Sequence, residues 1–155
     1  MPEELRQYFI KNSTLFFDLS DEKSTKISEM NLPNGCYQVV WQLRNSFKSN
    51  IGKFVEVIFQ PGFYCYSGSA QKGLKNRILR HLSKQKKLYW HIDYLSSISH
   101  FEPIFIAVYA NVGSECKLNR QMANEFNAVF PIPNFGSSDC KNKCISHLSF
   151  ITYCN

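Results

Sequence analysis

The sequence predicts an α+β fold, with a small, mostly antiparallel sheet of three to five strands flanked by helices. Three observations lead to this prediction. Apolar residues alternate with other residues over 36–43, as they do in a strand. Apolar residues recur at four-residue spacing at Leu74, Ile78 and Leu82, as they do along one face of a helix. Turn-forming residues separate such segments along the chain.

The first half of the domain is predicted to be a meander of strands. Residues 31–35 (Asn-Leu-Pro-Asn-Gly) form a turn, and the first strand follows over 36–43 with Tyr37, Val39, Trp41 and Leu43 on one face. Further strands are predicted over 53–59 and 63–67, joined by the Pro-Gly turn at 61–62. Consecutive strands with short connections favour antiparallel pairing.

The second half alternates between helices and strands. The stripe beginning at Leu74 predicts a first helix, and residues 90–98 predict a second. Residues 103–110 are apolar and predict a buried strand. Ser114 can cap a helix running to about residue 130, and a last short strand is expected over 148–152.

The chain of 155 residues is long enough for one domain with its own core. Residues 1–30 are predicted to be a separable N-terminal extension, and residues 31–155 the domain proper. The sequence has no apolar run that could span a membrane and no secretory signal at its start, so we expect a cytoplasmic protein without a membrane partner. Its six cysteines are accordingly expected to be reduced.

The charge of the chain is unevenly distributed. The net charge is +6, yet residues 1–30 carry six acidic and four basic side chains, so the positive charge belongs to residues 31–155. A basic domain favours a polyanionic partner, most often nucleic acid. The alternative is a basic surface that only keeps the protein soluble.

The densest basic segment covers residues 72–87, which contain no acidic residue. Its charged side chains and histidine are Lys72, Lys75, Arg77, Arg80, His81, Lys84, Lys86 and Lys87. Arginines at helical spacing suit a phosphate backbone, and flanking aromatic residues such as Tyr89 and Trp90 could stack on bases. The alternative is a solvated helix face, which is more credible for the lysines than for Arg77 and His81 beside the apolar stripe.

Four motifs occur in a characteristic order along the chain. Gly35-Cys36-Tyr37 opens one predicted strand, Tyr66-Ser67-Gly68 ends another, Arg77 lies on the next helix, and Glu115 begins a later helix. This order resembles the GIY-YIG nuclease superfamily. Two departures from the superfamily pattern bear on the efficiency of cleavage: Ser69 replaces a common lysine, and the spacing from Tyr66 to Arg77 is slightly long.

The sequence is still more similar to a divergent prokaryotic branch of that superfamily whose function is unknown. The shared motifs run in order over about residues 35–150, and they are Pro61-Gly62-x-Tyr64-x-Tyr66-x-Gly68-Ser69-Ala70, Arg77-x-x-Arg80-His81, Trp90-His91-Ile92-Asp93-Tyr94-Leu95, Glu115-Cys116, Phe135-Gly136-x-Ser138-Asp139-Cys140 and Ser146-His147-Leu148. Each motif alone is weak, but all of them in order are specific.

The resemblance implies an endonuclease that hydrolyses phosphodiester bonds, with DNA favoured over RNA as substrate. Glu115 is then expected to bind Mg²⁺ or Mn²⁺, and Arg77 to stabilise the charge that develops on the phosphate. Tyr37 and Tyr66 line the site, and His81 is expected to transfer protons because a histidine pKa ordinarily lies near neutral pH. The residues expected to bind substrate are Ser69, Lys72, Lys75, Arg80, Lys84 and His91.

Two further expectations concern the biological setting. DNA repair is the process expected for such a nuclease, with a repair protein as a partner. The alternative is a catalytically weak or inactive module that keeps the fold and binds nucleic acid.

Three cysteines and a histidine form a second candidate metal site. Cys140, Cys144 and His147, with Cys116 as a fourth ligand, could bind zinc. The spacing is not that of a standard zinc finger, because the two close ligand pairs of such a site are missing. Buried free cysteines are therefore the favoured interpretation, and zinc the less expected one.

Overall fold

The computed structural model describes residues 2–20, 26–53 and 56–153, and this part of the chain has the predicted α+β architecture. Its helices are α1 (Pro2–Asn12), α2 (Leu74–Leu82), α3 (His91–Ser96) and α4 (Glu115–Glu125), with a short 3₁₀ helix at Ile27–Glu29. Its strands are β1 (Leu15–Asp18), β2 (Gly35–Leu43), β3 (Phe47–Ser49), β4 (Val57–Phe59), β5 (Gly62–Ala70), β6 (Glu102–Tyr109) and β7 (Leu148–Thr152). Among the described helices, none is long and apolar enough to cross a membrane.

The main sheet has five antiparallel strands in the order β1-β6-β2-β5-β7. Its centre is β2, which pairs with β5 on one side and with β6 on the other. The β2–β5 ladder runs without interruption from Gly35 opposite Ala70 to Leu43 opposite Gly62. In this register Tyr37 lies directly opposite Gly68, so the two superfamily-like motifs are neighbours.

Both faces of the sheet are covered, and the alternation along β2 divides its side chains between them. Tyr37, Val39 and Trp41 enter the core that also contains residues of α2 and α3, as the alternation predicted. Cys36 and Val40 enter the second core, which is formed with α1 and α4. Although α2 and α4 lie on different faces of the sheet, residues of α2 and the first residue of α4 both lie near the end of β2 and β5 that holds Tyr37 and Gly68.

The N-terminal segment differs from the expectation of a separable extension. β1 pairs with β6 along its whole length and forms one edge of the main sheet. On α1, the side chains of Leu5 and Phe9 have no exposed surface. Arg6 also donates a hydrogen bond of 2.8 Å to Asp18, which ties α1 to the end of β1. The segment is part of the fold because it covers apolar surface and an edge strand that would otherwise be open.

The predicted meander also differs from the structure. β2 pairs directly with β5, and the connection between them forms a separate two-stranded sheet of β3 and β4. The strand predicted over 53–59 is limited to Val57–Phe59 within the described residues, since positions 54 and 55 lie outside them. The helix predicted to reach residue 130 ends at Glu125, because Asn127 adopts a positive φ of 49° that a continuing helix does not allow.

Candidate functional site

A polar pocket of about 180 Å³ lies where β2, β5, α2 and the start of α4 meet. Its walls are formed by Tyr37, Tyr66, Gly68, Ser69, Arg77, His81, Trp90, Glu115, Gly136, Asp139 and His147. The five side chains expected to be catalytic all lie in this set, together with Ser69. The structure thus brings residues from four separate elements into one small space, although their catalytic roles stay predictions.

Gly68 makes this arrangement possible by leaving room for the ring of Tyr37. A Cβ atom at position 68 would meet the Tyr37 hydroxyl oxygen closely and would lie 2.5 Å from Cζ of the same ring. Real Cβ atoms do not approach other atoms so closely. The glycine of the Tyr-x-Gly motif is therefore required by the tyrosine of the neighbouring strand.

Tyr37 and His81 form a buried hydrogen-bonded pair at the back of the pocket. The Tyr37 hydroxyl lies 2.6 Å from Nε2 of His81, and neither side chain has more than 1% of its surface exposed. Burial raises the pKa of Tyr37 well above its ordinary value, against the opposing effect of Arg77. The hydroxyl therefore keeps its proton at neutral pH.

His81 differs from the expectation of a histidine that titrates near neutral pH. Burial lowers the pKa of His81 to about 3, and the nearby Lys86 acts in the same direction. The imidazole is therefore neutral under physiological conditions. Among the described residues, Nδ1 of His81 has no hydrogen-bond partner, whereas Nε2 contacts the Tyr37 hydroxyl. A buried, neutral imidazole bonded to Tyr37 differs from the expected role of His81 in proton transfer near neutral pH.

Arg77 is held with its guanidinium toward the pocket. It donates a hydrogen bond of 2.6 Å from Nη1 to the carbonyl oxygen of Ser69. The guanidinium carbon lies 5.0 Å from the centre of the Trp90 ring, a cation–π contact. These contacts fix a cation beside the two tyrosines, where an anionic ligand would be attracted.

The pocket also contains carboxylates. Glu115, the first residue of α4, is partly exposed, and Asp139, from the loop that precedes β7, is exposed. Carboxylate oxygens are ligands that Mg²⁺ prefers, and Mg²⁺ commonly binds one or two carboxylates and keeps several waters. The donor set therefore fits a hydrated magnesium ion.

Tyr66 is the second tyrosine of the pocket wall. Burial raises the pKa of Tyr66 above its ordinary value; Arg77 opposes this shift, while Glu115 and other carboxylates add to it. The hydroxyl is therefore protonated at neutral pH and can act as a hydrogen-bond donor.

Arg80, expected to bind substrate, has partners within the protein. Nη2 of Arg80 lies 2.7 Å from Oδ2 of Asp93, whose side chain has no exposed surface. The same oxygen accepts hydrogen bonds of 3.0 Å from the backbone N–H groups of Tyr89 and Trp90. Arg80 and Arg77 also contact the Trp90 ring, so the two arginines together hold Trp90 at the rim of the pocket.

Several other residues expected to bind substrate also have partners within the fold. Nζ of Lys84 donates to the carbonyl oxygens of Ser96, Ile98 and Phe101, the first two at the end of α3 and just beyond it. Lys75 donates to the carbonyl oxygen of Ser28. These lysines satisfy backbone carbonyls, a role that a count of charges does not distinguish from phosphate binding. Lys72 lies exposed in the turn before α2.

His91, also expected to bind substrate, contacts the loop before β7. Its Nδ1 accepts a hydrogen bond of 3.0 Å from the backbone N–H of Gly136. Burial lowers the pKa of His91, and the charge of Lys53 contributes in the same direction. The contact ties α3 to the loop before β7, so the side chain supports the pocket wall from outside.

A Cys and His cluster adjoins the pocket. The ligand atoms of Cys116, Cys140, Cys144 and His147 all lie within 4.8 Å of one another, and together they could hold a metal ion. Cys116 Sγ is 3.3 Å from Cys140 Sγ and 3.4 Å from His147 Nε2. The prediction from sequence favoured free cysteines over a metal site here. The fold assembles the four ligands from separate segments, so their spacing along the chain is not that of a standard site.

The thiols of this cluster differ in acidity. Burial raises the pKa of Cys116, and burial with the neighbouring thiols raises that of Cys144 to about 12. Burial acts on Cys140 in the same direction, but hydrogen bonds from the backbone N–H groups of Cys144 and Asn142 and from the Cys116 side chain outweigh it and lower its pKa. Cys140 is therefore the thiol that loses its proton most readily.

Besides Gly68, four wall residues lie outside the sets expected to be catalytic or to bind substrate: Trp90, Gly136, Asp139 and His147. Each belongs to a motif that the sequence displays, namely Trp-His-Ile-Asp-Tyr, Phe-Gly-x-Ser-Asp-Cys or Ser-His-Leu. Gly136 has a positive φ of 66°, and a Cβ there would lie 2.8 Å from Cε2 of Tyr66. These motifs could have located the wall, because they mark one loop and one helix start that converge on the tyrosines.

A comparison with protein families matches most of the chain. Residues 36–155 match the family described as "Domain of unknown function DUF123". The comparison with curated proteins and the comparison with solved structures each gave no match. The matched region contains every wall residue of the pocket and all four members of the Cys and His cluster, whereas α1 and β1 precede it.

Proposed function

Since the chain belongs to the family described as "Domain of unknown function DUF123", which assigns no activity, we propose a function from its pocket: a divalent-metal-dependent endonuclease of the GIY-YIG type that hydrolyses phosphodiester bonds in DNA. One observation carries the proposal. Tyr37, Tyr66, Arg77 and Glu115 line the same 180 Å³ space, although they come from four different elements.

The chemistry of these groups suits phosphodiester hydrolysis. In this reaction a water molecule attacks phosphorus and loses a proton, the opposite P–O bond breaks, and the leaving oxygen takes up a proton from solvent. Negative charge develops on the phosphate oxygens during the step. The Arg77 guanidinium, fixed by Ser69 and Trp90, stabilises that charge without having to reorganise. Electrostatic stabilisation of this kind makes the largest contribution to catalysis in many enzymes.

The tyrosines position the attacking water. Both hydroxyls are protonated at neutral pH, since burial raises the pKa of each. His81 contacts the Tyr37 hydroxyl at 2.6 Å, which fixes the position of the hydroxyl oxygen at the pocket. Orientation of this kind lowers the barrier by restricting the water to a productive geometry.

Glu115 would hold the metal ion through its carboxylate oxygens, and Asp139 lines the same pocket. A bound Mg²⁺ or Mn²⁺ supplies Lewis-acid stabilisation of the leaving oxygen. The start of α4 contributes as well, because Glu115 lies in the first turn, where the helix dipole favours a carboxylate.

The decisive experiment compares cleavage and binding in the same variants. Labelled single-stranded, duplex and branched DNA, and RNA, would be incubated with Mg²⁺ or Mn²⁺ and the purified protein. Glu115→Gln and Arg77→Ala should each reduce the cleavage rate by about 10²–10³-fold, whereas Glu125→Gln at the far end of α4 should not. Cleavage on any of these substrates that survives Glu115→Gln would contradict the assignment.

The result also separates the enzyme from a binding module. Retained DNA binding in Glu115→Gln, with cleavage lost, is expected of the nuclease. Absence of cleavage by the unmodified protein on every substrate, together with salt-dependent binding, would instead favour a module that keeps the fold and binds nucleic acid.

A further inference from the structure

We propose that Cys116, Cys140, Cys144 and His147 bind one Zn²⁺ ion in a closed structural site that fastens the loop before β7 to the start of α4. This inference is independent of the nuclease proposal. It rests on the convergence of four ligand atoms within 4.8 Å of one another. Within the described residues, no other group of three or more His, Cys, Asp and Glu side chains converges in this way.

The spacing of the ligand atoms is close to that of a tetrahedral site. With Zn–S bonds of about 2.3 Å, sulfur atoms at the corners of a tetrahedron are about 3.8 Å apart. The 3.3 Å between the sulfur atoms of Cys116 and Cys140 needs a small outward movement to reach it. The 3.4 Å between Cys116 Sγ and His147 Nε2 is closer to its target, because a Zn–N bond of about 2.0–2.1 Å gives a sulfur–nitrogen separation of about 3.5–3.6 Å. Rotation of side chains is enough for movements of that size.

The donor set selects the metal. Three thiolates and one imidazole form a soft set without an oxygen ligand, which excludes Mg²⁺ and Ca²⁺. Four protein ligands of the Cys₃His type are a common composition for structural zinc. Because all four positions are filled by the protein, the ion would have no open position for water or substrate, which distinguishes it from a catalytic zinc.

The cluster lies where a metal ion could stabilise the long loop before β7. Residues 131–147 contain no helix or strand, and three of them, Asn134, Gly136 and Lys143, have positive φ angles. The loop is nevertheless required to form the pocket, since it supplies Gly136, Asp139 and His147 to the wall. A metal ion held by Cys140, Cys144 and His147 would join the second half of this loop to Cys116 on α4.

The connection to the pocket is short. Cys116 follows Glu115 directly on α4, and Cys140 follows Asp139 directly in the loop. Two of the four ligands are therefore adjacent in sequence to the two carboxylates of the pocket. An ion holding Cys116 and Cys140 together would fix the separation of those carboxylates.

A disulfide between Cys116 and Cys140 is the competing interpretation, since their sulfur atoms are only 3.3 Å apart. Such a bond would consume two of the four ligands and leave Cys144 and His147 without a metal. It would not explain why four ligands converge. The two interpretations predict opposite metal contents.

The test measures metal bound to the full chain purified in a reducing buffer without chelator. Elemental analysis should give one zinc per chain. Cys140→Ser and Cys144→Ser should each lower the zinc content at least several-fold, whereas Cys36→Ser should not. Cys36 is a matched control because it is also buried, lies outside the cluster, and donates from Sγ to the carbonyl oxygen of Val112, which a hydroxyl can replace.

A second measurement covers the case in which the cysteine variants fail to fold. The unmodified protein, with zinc replaced by Co²⁺, should show the intense visible bands of tetrahedral cobalt and the ultraviolet charge-transfer band of thiolate ligands. Folded protein that binds neither zinc nor cobalt, or that contains a Cys116–Cys140 disulfide by mass spectrometry after purification in reductant, would overturn the proposal. Metal content and spectra alone distinguish these outcomes, whatever the cleavage assay shows.

Discussion

The ring of Tyr37 occupies the space in which a side chain on Gly68 would lie. The two residues are directly opposite each other on β2 and β5, and a Cβ on Gly68 would lie 2.5 Å from Cζ of Tyr37. Tyr37 cannot retreat easily, because its hydroxyl is bonded to the buried His81 behind it. The geometry of the proposed active site thus depends on the absence of one methyl group.

Gly68→Ala is therefore expected to displace Tyr37 and impair the site. Overpacking of a buried position should lower the free energy of unfolding by about 1–3 kcal/mol, and misplacement of a catalytic side chain by about 1 Å can reduce the rate by about 10²-fold. Denaturant unfolding and the cleavage assay measure the two effects. Gly113→Ala is the control, since nothing lies within 4 Å of a Cβ there. Equal activity of the two variants would contradict the prediction.

The neutral state of His81 predicts a particular dependence of stability on pH. Burial lowers the pKa of His81 to about 3, whereas in an unfolded chain it lies at about 6.5. Between these values the unfolded state binds the proton and the folded state does not. The stabilisation is therefore complete above about pH 6.5 and is lost as the pH falls toward 3, by up to about 1.4 kcal/mol per pH unit.

The measurement is urea unfolding at a series of pH values between about 4 and 7, inside the window that these two pKa values define. His81→Gln should lower the stability at neutral pH, yet flatten the loss of stability on acidification relative to the unmodified protein. The exposed His100→Gln provides the comparison. His91 and His147, whose pKa values are also lowered by burial, contribute the same slope to every variant. An unchanged slope in His81→Gln would show that His81 is not the buried neutral group.

Different features of the sequence predicted the central strands and the set of residues that line the candidate site. Alternation along β2 is sufficient to assign its faces, since one side chain in two enters each core. The convergence of Tyr37, Arg77 and Glu115 required an ordered set of motifs, because periodicity does not show which strands become neighbours. The motif order supplied that information, and the pocket contains all three residues.

The basic segment shows what a charge pattern leaves undetermined. Lys84 and Arg80 carry the charge expected of a phosphate-binding surface, but one satisfies backbone carbonyls and the other a buried carboxylate. Both roles need a cation with several donors, so composition cannot separate them. The direction of each side chain depends on α3 and on residues 96–101, which lie beyond the basic segment itself.

The pairing of β1 was missed, and the Cys and His cluster was predicted but not favoured, for a related reason. Each joins segments that are far apart in sequence: β1 pairs with β6, and Cys116 meets Cys140 and His147. A four-residue strand carries too few residues to show a period. Ligand spacing is informative only when both ligand pairs lie close together in the chain.

The N-terminal helix should contribute strongly to stability, although the family match begins after it. Phe9→Ala is expected to lower the free energy of unfolding by about 3–5 kcal/mol, because the side chain is fully buried and leaves a cavity. Ile10→Ala, on the same helix with 42% of its surface exposed, should have a much smaller effect. Thermal or denaturant unfolding measures both.

A truncated chain beginning at residue 31 tests the same point more severely. It would lack β1 and expose the edge of β6 together with the apolar surface beneath α1. We expect it to aggregate or to unfold at a lower temperature than the full chain. A truncated domain with unchanged stability would establish instead that the first 30 residues are the separable extension that their composition suggests.

The last prediction concerns the Arg80–Asp93 ion pair, which supports Trp90 at the pocket rim. Oδ2 of Asp93 accepts three hydrogen bonds, from Arg80 and from the backbone N–H groups of Tyr89 and Trp90. Burial acts to raise the pKa of Asp93, but these bonds and the positive charge of Arg80 outweigh it and lower that pKa. The pair therefore stabilises the fold above the ordinary aspartate pKa of about 4, and this contribution is lost as the pH falls through the lower value of the folded state.

Asp93→Asn removes the charge and retains an acceptor oxygen, so it isolates the ionic contribution. Removing one partner of a buried pair costs about 3–5 kcal/mol, and the partial exposure of Arg80 places the expected loss near or below the lower end, about 2–3 kcal/mol. Glu102→Gln in the exposed pair with Arg44 is the matched control, expected to change stability by less than about 1 kcal/mol. Unfolding at neutral pH measures both variants. Equal losses of unfolding free energy in the two variants would mean that the Arg80–Asp93 pair contributes no more than a surface ion pair. The cation–π contacts of Trp90 with the two arginines would then be the main interactions that hold its ring.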